Sequence, residues 1–134
     1  DSYIDIPAEK MRIYKQLDSI SNEKELDRFA LNLEDRFGKM PEELENLFYV
    51  VKIRNLGGHL GFEKIIIKNG LFIAFFISNQ MSLYFKTKVF DNILEKISGY
   101  GSLFDLKQNE GKLKIVSRGI NSMSAAYAHL SKLQ

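Results

Sequence analysis

The chain has 134 residues, and 45% hydrophobic with 27% charged residues are the proportions of one globular domain, which excludes intrinsic disorder and collagen-like repeats. The absence of cysteine excludes a disulfide framework, a thiolate nucleophile and cysteine-ligated zinc. Net charge is only +2, yet residues 1–61 carry 12 acids and 9 bases and residues 62–134 carry 5 acids and 10 bases, so the halves differ in sign. The apolar stretch 65–77 is broken by Lys68, Asn69 and Gly70, so no membrane span is expected, and Asp1-Ser2-Tyr3 opens no secretory leader. A start at Asp1 reads as a piece excised from a longer chain, and the expected location is cytoplasmic.

The first half reads as helix. From Pro7 to about residue 20, Ile13, Tyr14, Leu17 and Ile20 share one arc at 3.6 residues per turn. Asn22 is a good N-cap for a second helix, with Glu25 in a capping-box position and a stripe of Leu26, Phe29, Ala30, Leu33 and Phe37. Gly38 follows as a stop. Pro41, Glu42 and Glu43 open a third helix with two apolar stripes, Leu44, Leu47, Phe48 and Val51 on one side and Tyr49, Ile53, Leu56 and Leu60 on the other. Two apolar sides predict burial on both, Gly57 and Gly58 predict close backbone packing, and Gly61 ends the helix.

At Phe62 the period changes. Residues 62–68 and 71–77 are rich in Ile and Phe and flank Asn69-Gly70, which predicts a hairpin with a type I′ turn. Residues 81–85 read as a third strand. Val89, Phe90, Ile93, Leu94 and Ile97 predict a short helix ending before Gly99. Residues 103–108 and 112–117 form a second hairpin across Asn109-Glu110-Gly111, and a last helix carries Met123, Ala126, Tyr127, Leu130 and Leu133 behind a Ser122 cap. The predicted class is α+β: a single domain over residues 1–134, with a three-helix segment over 1–61 followed by β-hairpins and two further helices over 62–134.

No catalytic constellation emerges. His59 and His129 have no ligand spacing, and no phosphate loop, dinucleotide fingerprint or nucleophile elbow occurs; Gly99-Tyr100-Gly101 lacks the third glycine and the preceding strand. Both histidines read as surface or half-buried structural residues. Neither a metal nor a cofactor is expected in this domain. The basic half offers one binding reading: Lys64, Lys68, Lys86, Lys88, Lys107, Lys112 and Lys114 lie near strands and interleave with Phe72, Phe75, Phe76, Tyr84 and Phe85, as in a sheet that stacks bases. The alternative is a half-buried sheet whose lysines wet one face and guard its edges. A second candidate is the outward side of the second helix. With the core stripe on one side, Arg28, Leu31, Asn32 and Asp35 fall together opposite, a polar strip holding one apolar residue.

Several strings then resemble one family. Asp35-Arg36-Phe37-Gly38, Pro41, Asn46-Leu47, Arg54 and Leu60-Gly61, with Arg12-Ile13-Tyr14-Lys15-Gln16-Leu17 upstream, resemble the carboxy-terminal domain of bacterial transcription-repair coupling factors. The likeness is detailed over residues 1–62 and only topological beyond. It implies the last domain of a DNA translocase whose motor, outside this chain, uses ATP and magnesium. Such a parent displaces stalled RNA polymerase from DNA and recruits excinuclease A, a component of the nucleotide-excision repair machinery. In that family the terminal domain packs on an amino-terminal repair-helicase-like domain and masks the surface that binds excinuclease A. Asp35 matches one acidic clamp position and Asn32 stands where another acid is expected; both lie on the outward strip that spacing defines, so that strip, with Arg28 and Leu31, is the expected interdomain contact. Arg36 is expected to pair with an acid, Phe37 to anchor the core and Gly38 to stop the helix.

Overall fold

The computed structural model describes residues 3, 4 and 7–134; Asp1 and Ser2, on which the reading of the chain's start rests, lie outside them. The elements are α1 (Pro7–Ser19), α2 (Glu23–Phe37), α3 (Glu42–Leu60), β1 (Phe62–Lys68), β2 (Leu71–Phe76), α4 (Lys88–Tyr100), β3 (Asp105–Asn109), β4 (Lys112–Arg118) and α5 (Met123–Ser131), with short 3-10 turns at Leu83–Lys86 and Gly101–Leu103. This is the α+β class expected. The chain forms two compact units, Asp1–Asn55 and Leu56–Gln134, with the division inside α3.

In the first unit, α2 begins as its cap residue dictates. The Asn22 side chain accepts from the Glu25 amide, and Gly38, at φ +88°, donates its N–H to the Glu34 carbonyl at the other end. Leu26, Phe29 and Leu33 then enter a core with Ile13, Leu17 and Ile20 of the α1 region and Leu44, Phe48 and Val51 of α3. Phe29 and Phe48 meet with ring centroids 5.9 Å apart. Arg54 ties α3 to the end of α1 through the Asp18 carboxylate at 2.6 Å and the Asp18 carbonyl at 2.7 Å. Leu47, placed by its spacing in the inner stripe of α3, is instead 40% exposed. It sits at the edge of the arc that Leu44, Phe48 and Val51 already fill.

In the second unit, one antiparallel sheet has the strand order β1-β2-β4-β3. Asn69 and Gly70 both have positive φ, as a type I′ turn requires, and Glu110 and Gly111 repeat that conformation in the second hairpin. The register separates the two sheet faces. Phe72, Ala74 and Phe76 of β2 align with Ile67 and Ile65 of β1 and with Ser117 and Ile115 of β4, and this face is packed over by helices. Phe90 of α4 meets Phe76 edge-on at 5.4 Å, and His129 of α5 meets Phe72 at 5.2 Å. A Cβ on Gly57 would lie 2.7 Å from Ile65 Cδ1, so the close approach expected at this glycine is real; Gly58 faces open space and carries no such contact.

The segment 81–85 is not a strand. Leu83–Lys86 is a 3-10 turn capped by Ser82 Oγ, which accepts from the Tyr84 amide. Its aromatics are used for packing rather than pairing: Tyr84 lies 5.4 Å from Phe90 and 6.2 Å from Phe76, and its hydroxyl donates to the Leu60 carbonyl at the end of α3. Helix α4 also outruns its expected end, continuing through Gly99 to Tyr100.

Candidate protein-contact surface

Helix α2 presents its two sides very differently. Leu26 and Leu33 are 1% exposed, whereas Leu31 is 67% exposed. Arg28, Asn32 and Asp35 are exposed with it, so the structure brings together the four residues that helical spacing groups. Along the axis they span about 10 Å, two turns of helix. Among the described residues none of the four side chains enters a hydrogen bond or ion pair, while the neighbouring charges are engaged: Asp27 lies 3.6 Å from Lys52, and Arg36 pairs with Glu9 of α1. The strip is therefore one apolar side chain among polar groups that have no partner among the described residues, on a helix capped at both ends. That arrangement can bind another protein surface; it offers no nucleophile or acid–base pair.

The flanking string is structural, as expected for Gly38 and Arg36. Phe37 is half-buried rather than a deep anchor. Its ring meets Tyr3 at 5.8 Å, and the Arg36 guanidinium lies 4.8 Å from its centroid. The Tyr3 hydroxyl donates to the Gly38 carbonyl at 2.7 Å; burial, and then the Glu34 carboxylate, raise its pKa. Helical spacing also puts exposed Lys24 one turn before Arg28 on the same strip, a fifth member beyond the expected four, although the same spacing contains it.

The aromatic set of the basic half divides by strand parity. Phe72 and Phe76 are 0% and 2% exposed in the core, and Tyr84 and Phe85 pack into the cluster beside them, so none is a stacking platform. Phe75 faces the other way, with the Lys64 and Lys114 ammonium groups 5.8 and 5.6 Å from its ring centroid. Lys86 and Lys88 belong to the 3-10 turn and to α4 rather than to the sheet. His129 is buried more deeply than its spacing indicates, at 5% exposure, while His59 is exposed. The Ser117 hydroxyl donates to the Leu103 carbonyl at 2.8 Å, which leaves its oxygen to accept from His129 Nε2 at 2.7 Å. The imidazole stacks on Phe104 at 4.2 Å, and burial, with Lys132 adding to it, lowers its pKa to about 4. Among the described residues no cluster of three or more His, Asp or Glu is placed to hold a metal, and no helix is long and apolar enough to cross a membrane.

Comparison with known proteins agrees with this architecture. The transcription-repair-coupling factor of Rickettsia prowazekii is 33% identical over 110 residues, covering 81% of this chain and 9% of that protein. Its counterpart from Rickettsia bellii is 28% identical over 119 residues, 88% of this chain and 10% of the relative. The chain thus spans about a tenth of the length of these curated relatives. A crystal structure of the C-terminal domain of transcription-repair coupling factor superposes with a TM-score of 0.79 at 17% identity, over 99% of this chain and 83% of that one, and shows the same fold. The TRCF domain family model matches residues 1–87, which include all of α2 and its outward strip, and the chain belongs to that family.

Proposed function

We propose that this chain is the carboxy-terminal regulatory domain of a transcription-repair coupling factor and that the outward strip of α2 is its latch. In this reading Arg28, Leu31, Asn32 and Asp35 pack on an amino-terminal repair-helicase-like domain of the same protein and mask the surface that binds excinuclease A. The parent is an ATP-dependent DNA translocase acting on stalled RNA polymerase, with ATP and magnesium held by a motor outside this chain. The observation that carries the reading is Leu31, 67% exposed amid polar side chains that have no partner among the described residues, on a helix inside the family-matched region. With Asn32 in place of a second acid, Asp35 supplies the strip's negative charge.

A latch works by differential affinity. It must hold the closed state against the open one by an amount that the motor's rearrangement can overcome, and coupling energies between sites are typically about 1 to 3 kcal/mol. Asp35→Ala or Leu31→Ser in the full-length parent is therefore expected to raise affinity for excinuclease A by about 5- to 150-fold. Neither substitution disturbs a packed or hydrogen-bonded group, so stability of this domain should stay within about 0.5 kcal/mol of wild type. Unchanged affinity in a normally folded parent would count against this face as the latch.

A further inference from the structure

On the sheet face opposite Phe72, Ala74 and Phe76, Lys64, Lys68, Lys107, Lys112 and Arg118 are exposed and Phe75 and Lys114 half-buried, around a central Val116 that is 8% exposed. Across the register, Lys64, Phe75, Lys114 and Lys107 form one row over all four strands, and Lys68, Leu71 and Arg118 form another. Between them runs the row Ile66, Ile73, Val116 and Asp105, whose aspartate is the one acid at these positions. Lys107 and Lys114 are direct cross-strand partners, a like-charge pairing that weakens a sheet. Edge protection accounts for lysines on β1 and β3, but β4 is an interior strand, so Lys114 and Arg118 guard no edge. Among the described residues the ion pairs Arg36–Glu9, Lys52–Asp27 and Arg54–Asp18 lie in the first unit, and the bases of this face enter none.

We propose that this face binds single-stranded DNA, independently of the α2 latch. Six bases, Lys64, Lys68, Lys107, Lys112, Lys114 and Arg118, share it with the single acid Asp105, and among the described residues none of the six enters an ion pair. On β4 the bases Lys112, Lys114 and Arg118 share one parity, so their spacings are multiples of about 7 Å, which fits a polyanion with regularly spaced charges. At the centre the half-buried Phe75 has the Lys64 and Lys114 ammonium groups over its ring, and a base stacking there would displace them from the ring toward its own phosphates. The major groove of undistorted B-DNA admits a helix or a two-stranded ribbon, narrower than this four-stranded face, whereas an unpaired strand can lie along it. Ionic and stacking contacts are satisfied by DNA without any 2′-hydroxyl. An acidic protein segment would use the charges but leave the ring without a planar partner.

The test is a fluorescence-anisotropy titration of the 134-residue chain with a labelled oligothymidylate of about 12 nucleotides. Binding in the range of about 1 to 100 µM is expected, weakening roughly eighteen-fold between about 50 and 200 mM salt, the dependence expected of about three phosphate contacts to a single strand. The double variant Lys64→Gln/Lys114→Gln should flatten that salt dependence. Phe75→Leu should lower affinity at least about five-fold without changing the slope. Should Phe75→Leu fail to fold, the glutamine pair carries the test alone. No salt-sensitive binding at low salt would overturn the proposal. So would poly-glutamate binding as tightly as the oligonucleotide, or an RNA strand of equal length binding more than about ten-fold tighter.

Discussion

Gly61 stands where α3 must stop and the chain must turn directly into β1. It holds φ at +98°, its carbonyl accepts from the Ile77 amide at 3.1 Å, and an added Cβ would fall 2.1 Å from Cε1 of the Tyr84 ring. The ring cannot retreat easily, because its hydroxyl donates to the Leu60 carbonyl and the ring packs against Phe76 and Phe90; its burial also pushes the hydroxyl pKa up to about 12. Two penalties coincide in Gly61→Ala: a left-handed backbone with a side chain, about 1 to 2 kcal/mol, and an overpacked contact, about 1 to 3 kcal/mol. The variant should lose roughly 2 to 5 kcal/mol of stability, read as a lower midpoint in urea. The sequence marks this glycine as a helix stop. It does not show Tyr84, whose aromatic neighbours suggest a strand and which meets Gly61 only through the fold.

At the scale of elements, the signals that succeed are local and redundant. Helix α2 combines a cap, a stripe and a glycine stop, and all three agree with the structure. Asn22→Ala removes the acceptor for the Glu25 amide, and thermal or chemical denaturation should show a loss of about 1 kcal/mol. The strip of Arg28, Leu31, Asn32 and Asp35 is legible for the same reason, since opposite sides of one long helix follow from spacing alone. Where the signal is short, composition misleads. Residues 81–85 are aromatic enough for a strand, but so short a segment holds too little periodicity to separate a strand from a tight turn stitched by Ser82. Gly99 lies inside α4, where a glycine is tolerated at about 1 kcal/mol. Parity within β2, which sends Phe72 and Phe76 inward and Phe75 outward, is present in the sequence as alternation; which set faces the helices is not.

Across the whole molecule, stability as a function of pH depends on His129, whose spacing suggests only an ordinary surface or half-buried histidine. Its folded pKa is lowered to about 4, below the ordinary value of 6.5, by burial and then by Lys132, so the folded state binds this proton less readily than the unfolded chain. Its contribution is complete above pH 6.5, declines as pH falls and is lost by about pH 4. The melting temperature should drop across that window, and less so in His129→Gln; an equal drop in both proteins would assign the effect to other groups. The charge difference between the halves takes on a location at this scale too: the excess lysines gather on one face of the sheet, while the acidic half carries the strip assigned to the latch. The sequence by itself determined the order of most elements, their caps and turns, the α+β class and the two sides of α2, because these follow from spacing within a dozen or so residues. Only the tertiary structure decided that Tyr84 closes α3, that His129 is sealed against Ser117 and Phe104, and that Lys64, Lys107 and Lys114, from three different strands, share the sheet face opposite Phe72 and Phe76. Each of those depends on contacts between residues distant in the chain, which local periodicity does not encode.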